Sequence, residues 1–239
     1  MRRPNPINFE MVRQVAIAFG DLRKQVVFVG GAIVDFLITD PAAPQVRASM
    51  DVDVIIELAS RIDYHALRRP LTSLGFTEDN SGDPPLICRW NINGIRVDIM
   101  PTDEQILGFS NEWYENAIRT AEWVEIGEKL SIKRISGPCF LITKLAAFND
   151  RGSGDYLGSS DIEDVIAVLD GRPEIVDEIK GSHQKLKSAL TEEFGALLQN
   201  EDFMDSLPGH LIDSQRSPTI IKRLKKIVTV DNGLPHWAS

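Results

Sequence analysis

Two runs decide how this chain is read: Val26-Val27-Phe28-Val29-Gly30-Gly31, and Arg47-Ala48-Ser49-Met50-Asp51-Val52-Asp53-Val54-Ile55-Ile56. The first is an apolar strand that stops at a glycine pair and leads into a helix over 32–38, whose free N–H groups form a ready phosphate site. In the second, aspartate alternates with valine. Strand side chains have a period of two, so Asp51 and Asp53 project from one face, next to each other. Like charges at that spacing repel, and strands disfavour aspartate. A divalent cation would offset that cost, and hard carboxylate oxygens are what Mg2+ takes.

A third carboxylate follows. Residues 86–92 and 95–100 are apolar alternating runs separated by Asn93-Gly94, the preferred pair for a two-residue type I′ hairpin. A two-residue loop pairs its flanking residues directly, so Ile92 opposes Ile95, Asn91 opposes Arg96, Trp90 opposes Val97 and Arg89 opposes Asp98. One face then carries Cys88, Trp90, Ile92, Ile95, Val97 and Ile99; the other carries Arg89, Asn91, Arg96 and Asp98. The polar face is either a solvated surface with an Arg89–Asp98 cross-strand pair or the floor of a cleft with Asp51 and Asp53. In the cleft reading Arg89 steadies Asp98 or meets a phosphate, and Asp98 lies within metal-bridging distance of Asp51 or Asp53.

Further along, Lys144 falls among Leu141, Leu145 and Phe148 on the apolar stripe of a helix over 138–150. Its structural reading is snorkelling, with the stem packed and the ammonium in water. Asp161 and Asp164 follow near the start of a later helix. There Ser160 suits a cap and Asp161 the helix dipole.

The glycine pair, the Asp-x-Asp strand and the later strand aspartate resemble the nucleotidyltransferase superfamily that includes DNA polymerase beta, over residues 26–100. The runs Lys144-Leu145-Ala146-Ala147-Phe148-Asn149-Asp150-Arg151 and Ser160-Asp161-Ile162-Glu163-Asp164-Val165 resemble its abortive-infection (AbiEii-like) branch. The resemblance implies that Asp51, Asp53 and Asp98 are catalytic and hold two Mg2+ ions, with Mn2+ as an alternative. Lys144 would neutralise triphosphate charge together with Asp161 or Asp164. Gly30, Gly31, Arg47, Ser49, Arg89 and Lys144 would contact the nucleotide. Gly31 stands where many relatives have serine, and Ser49 or backbone N–H groups would then meet the phosphate. The reaction implied is transfer of NMP from an NTP to an acceptor hydroxyl, such as a tRNA or other RNA end. The protein would then be the toxin of a toxin–antitoxin pair with an antitoxin partner. Transfer to a protein or small molecule, and a non-catalytic binding protein that keeps the fold, are the competing readings.

The rest of the chain points to an α+β protein: an N-terminal mixed β-sheet nucleotidyltransferase domain with flanking helices over 1–136, then a C-terminal helical domain over 137–239 that closes one side of the cleft. Helices are expected from Ile7 to near Gly20 or Lys24, over 62–74 and over 104–121, and a second hairpin over 123–126 and 130–135, around Gly127-Glu128, extends the sheet. Gly137-Pro138 marks the boundary. One long helix from Pro173, or two shorter ones broken near Gly181-Ser182, follows. The last helix opens at Pro218 and carries Lys222, Arg223, Lys225 and Lys226, either a polynucleotide contact or a solvated face. The formal charge of −9 argues against a general nucleic-acid coat. No apolar run approaches the roughly 20 residues of a membrane span, and no secretory h-region follows Met1, so no membrane contact and a cytoplasmic location are expected. Cys88 and Cys139 read as buried thiols, and the four histidines show no ligand spacing.

Overall fold

The computed structural model describes residues 4–58, 60–81, 86–108, 110–127, 129–151 and 154–230. It is α+β, with a seven-stranded mixed sheet, and divides into two compact units. Among the described residues, one gathers 4–36 with Gln45–Ser136, and the other joins Leu37–Pro44 to 137–230. Among the described residues no helix is long and apolar enough to cross a membrane.

The sheet unit opens with α1 (Pro6–Ala18), capped by the Asn5 side chain, which accepts from Ile7 N–H, and continued by a 3-10 turn over Gly20–Lys24. Next come β1 (Val26–Val29), α2 (Val34–Leu37) and β2 (Asp51–Ile56). All four β1 residues are buried, as suits a central strand covered on both faces. The expected helix over 62–74 is two helices, α3 (Arg61–Ala66) and α4 (Arg68–Ser73). Pro70 has no N–H to give the Ala66 carbonyl, and its ring crowds that carbonyl, so the ladder breaks there. A two-residue strand that the sequence pattern does not announce, β3 (Thr77–Glu78), pairs antiparallel with β4 (Arg89–Ile92).

The hairpin of β4 with β5 (Ile95–Pro101) has the register expected, Arg89 opposite Asp98 and Ile92 opposite Ile95, with Asn93 and Gly94 both at positive φ. β4 is shorter than expected, because Leu86 and Ile87 are exposed ahead of it. The single helix expected over 104–121 is α5 (Glu104–Leu107) and α6 (Tyr114–Arg119); Gly108 closes α5 in the left-handed conformation. Phe109, assigned to that helix, lies outside the described residues. β6 (Glu122–Glu125) and β7 (Ser131–Arg134) form the second hairpin, and β7 extends the sheet by running parallel to β1. Glu128, assigned to its turn, also lies outside them. The sheet order is β3-β4-β5-β2-β1-β7-β6, with β2 and β5 parallel at its centre. Phe19 seals the core against Phe28 and Phe76.

In the helical unit α7 (Gly137–Arg151), α8 (Ser160–Gly171), α9 (Ile175–Gly181), α10 (Gln184–Gln199), α11 (Glu201–Ser206) and α12 (Ser217–Val228) follow in order. The break at Gly181-Ser182 is present, and His183 caps α10 by accepting from Leu186 N–H. Pro173 lies ahead of α9 rather than in its first turn. Leu190, Phe194, Phe203, Leu224 and Ile227 are fully buried. The Leu37–Pro44 segment is tied into this unit: Thr39 and Asp40 N–H groups donate to Gly171 O, and Arg172 donates to Leu37 O at 2.6 Å.

Candidate functional site

β2 supplies two carboxylates because its alternation is regular, with half-buried Asp51 and Asp53 between buried Val52 and Val54. The parallel register sets Asp53 beside Asp98, and the antiparallel pairing with β1 sets Val29 beside Asp53. Ligand oxygens of Asp51, Asp53 and Asp98 all lie within 4.8 Å of one another, a group that can hold a metal ion. Asp98 therefore stands where the cleft reading requires.

Arg89 is paired with it as well. Its guanidinium donates to both Asp98 oxygens, at 2.8 and 2.7 Å, and that bond raises the guanidinium pKa above its ordinary value. Cross-strand pair and carboxylate cluster thus coexist on one face. On the other face Cys88 is a buried free thiol, pushed up to about 11 by burial. Cys139 is buried too.

Gly30 is fixed by Asp53. Its backbone adopts φ 72°, ψ −171°, a region open essentially only to glycine, and a Cβ there would lie 1.8 Å from Asp53 Oδ2. The chain then makes a 3-10 turn over Gly31–Ile33 before the single turn of α2, in place of the regular helix expected over 32–38. Gly31 is buried.

The loop before β2 is held from α1. Asn8 of α1 is fully buried; it donates to Arg47 O at 2.9 Å and accepts from Ser49 N–H at 2.8 Å. It also donates to buried Asp35 at 3.3 Å. The Ser49 hydroxyl donates to Asp51 Oδ1 at 3.4 Å, and Arg47 is half-buried. The signal was present: Asn8 is polar at a position whose helical neighbours Val12, Val15 and Phe19 are apolar.

Within the helical unit, Lys144 Nζ lies 3.0 Å from Asp161 and 2.7 Å from Asp164, and Arg151 lies 3.0 Å from Asp161. Both candidate acids meet the lysine. The side chain is 12% exposed and its ammonium is paired with both acids, so snorkelling into water does not describe it. Burial pushes the Asp161 carboxyl up, but the Lys144 and Arg151 charges and their hydrogen bonds outweigh it and hold the carboxyl below its ordinary value. Ser159, not Ser160, caps α8. In the preceding loop Gly152 and Ser153 lie outside the described residues.

On α12 the basic run separates. Arg223 turns inward and donates to the carbonyls of Leu169 and Asp170. Lys222, Lys225 and Lys226 are exposed, and with Pro218, Ile221 and Thr229 they line a shallow groove of about 580 Å³. No protein-family model and no curated protein matches this chain.

Proposed function

We propose that this chain is a metal-dependent nucleotidyltransferase that moves NMP from an NTP to the hydroxyl of an RNA end, such as a tRNA acceptor. The observation that carries the reading is the approach of Asp51, Asp53 and Asp98 to within 4.8 Å of one another from two neighbouring parallel strands, beside a glycine that Asp53 itself requires. An all-carboxylate donor set suits Mg2+, with Mn2+ as a substitute, better than the N and S ligands that zinc selects. Asp51 and Asp53 would hold one ion, and all three aspartates a second. When bound, such ions polarise phosphate oxygens and lower the pKa of an attacking hydroxyl.

The chain's own groups supply position. Gly30 lets the backbone approach Asp53, and Arg89 fixes the plane of Asp98. A carboxylate has about four lone-pair sites, so two hydrogen bonds from Arg89 leave Asp98 able to ligate. In the reaction the acceptor oxygen bonds to the α phosphorus while the bond from that phosphorus to the β-bridging oxygen breaks. Pyrophosphate leaves, and the hydroxyl proton passes to solvent. Positioning and charge neutralisation carry most of such catalysis.

The exposed lysines of α12 favour a polynucleotide acceptor, since each phosphate neutralised releases counterions. The net charge of −9 favours the second reading, a protein or small-molecule acceptor. A toxin role with a neutralising partner belongs to the first. Incubation with each α-labelled NTP, Mg2+, total RNA and lysate protein separates them. Label on RNA that disappears with Asp53→Asn supports the proposal. Label on protein moves the acceptor, and no label from the parent contradicts transfer altogether.

A further inference from the structure

We propose that Asn8 is a positioning residue for the carboxylate cluster, acting from α1 through the loop that leads into β2; the inference rests on reading Asp51, Asp53 and Asp98 as a metal site. A buried amide costs free energy unless its donors and acceptor are satisfied. Asn8 satisfies them on the chain just ahead of the cluster. Its Nδ2 donates to Arg47 O and its Oδ1 accepts from Ser49 N–H, so the backbone is gripped on both sides of Ala48.

A second strand of bonds runs beside the first. Asp35 Oδ2 accepts from Asn8 and, at 3.1 Å, from Asn5 N–H, while the Asn5 side chain donates to Val46 O at 3.0 Å. Three of the four residues 46–49 are thus held by two side chains, Asn5 on Val46 and Asn8 on Arg47 and Ser49, and Ser49 hands the restraint on through its hydroxyl to Asp51 Oδ1. Ahead of the ladder to β5, which begins at Asp51 opposite Arg96, the chain is only partly held by burial: Met50, between Ser49 and Asp51, is 81% exposed. The position of Asp51 on its N-terminal side is set by the Ser49 anchor, and that anchor is Asn8.

Only an amide fits this post. Aspartate would lose the donor to Arg47 O and face Asp35 as a like charge; leucine, similar in size, would leave the Ser49 N–H buried without its acceptor. Packing of α1 does not require the polar group, because Val12, Val15, Ala16 and Phe19 already bury the helix.

Mn2+ binding followed by electron paramagnetic resonance tests this, on parent, Asn8→Ala and Ser49→Ala proteins, at a temperature where circular dichroism shows each folded. The parent is expected to bind. Asn8→Ala should weaken binding by about tenfold to hundredfold, the range seen when groups orienting metal ligands are removed. Ser49→Ala keeps the backbone bond to Asn8 and loses only the hydroxyl, so it should weaken Mn2+ binding severalfold with an unchanged melt. If Asn8→Ala does not fold, Ser49→Ala decides alone. Parent-like Mn2+ affinity in the folded variants would overturn the inference and leave Asn8 a residue of the fold. A parent that binds no Mn2+ would overturn the metal-site reading itself, and the inference with it.

Discussion

The sheet unit and the helical unit each hold a cluster of charged groups, and the two clusters are built on different terms. In the helical unit Lys144 and Arg151 meet Asp161 and Asp164, so every carboxylate has a cation within 3.0 Å. In the sheet unit three carboxylates face one another, and the Arg89 guanidinium is committed to both oxygens of Asp98. Two like charges about 4 Å apart repel by about 4 kcal/mol at an effective dielectric near 20. The first arrangement balances its charges within the fold, whereas the second gathers like charges that a cation could answer. This contrast predicts that loss of Lys144 acts first on stability, because its ammonium answers both Asp161 and Asp164.

The largest expected effect lies in the sheet unit. Asp53→Asn or Asp98→Asn should reduce Mg2+-dependent label transfer to background, measured with the labelled NTP that the parent uses. Transfer near the parent level in either variant would break the contrast from that side.

In the helical unit, Lys144→Ala should cost about 3–5 kcal/mol of stability, the cost of leaving buried acids without their cation, measured by urea unfolding. Mn2+ affinity of the folded fraction should stay at the parent level. A variant as stable as the parent would mean that the network is not structural.

Arg89→Ala should cost less, about 1.5–3 kcal/mol in urea without metal, as for a lost hydrogen bond to a charged group. Added Mn2+ should restore part of it, because a cation then answers Asp98. A loss indifferent to Mn2+ would make Asp98 a partner of Arg89 only.

The smallest effect is on pH dependence. The Asp161 carboxyl is depressed below its unfolded value of 3.8, so its pairing stabilises fully above that pH and is lost as pH falls through the depressed value. The parent should lose stability progressively below about pH 4. Asp161→Asn should be less stable at pH 7, with a shallower slope in acid. Equal slopes would remove Asp161 from the ledger of acid-sensitive groups.

Much of the candidate site was legible because strand period and hairpin turn are local rules. Asn93-Gly94 set the register that brings Arg89 to Asp98, and the alternation of Asp51 with Asp53 set their shared face. The parallel pairing of β2 with β5 is a long-range choice, and the expected approach of Asp98 to Asp51 and Asp53 needed the family resemblance to suggest it. Asn8 was missed because helical spacing marks which positions are buried but not what a buried amide bonds. The helix over 104–121 was overextended because apolar spacing continued through a left-handed glycine, Gly108, that ends α5. Arg223 was grouped with its exposed neighbours because charge runs do not show which member turns toward buried carbonyls.

The contrast rests on the aspartates of β2 being held for a ligand rather than for the fold, and thermal melts of the parent, Asp51→Asn and Asp53→Asn, each with and without Mg-NTP, test that most directly. Relief of repulsion should leave both variants as stable as the apo parent or more stable by about 0.5–2 kcal/mol. Mg-NTP at about a hundred times its dissociation constant should stabilise the parent by about 2.7 kcal/mol and the variants hardly at all. Marked destabilisation of both variants without ligand, with a parent melt indifferent to Mg-NTP, would show that these aspartates hold the fold and not a metal.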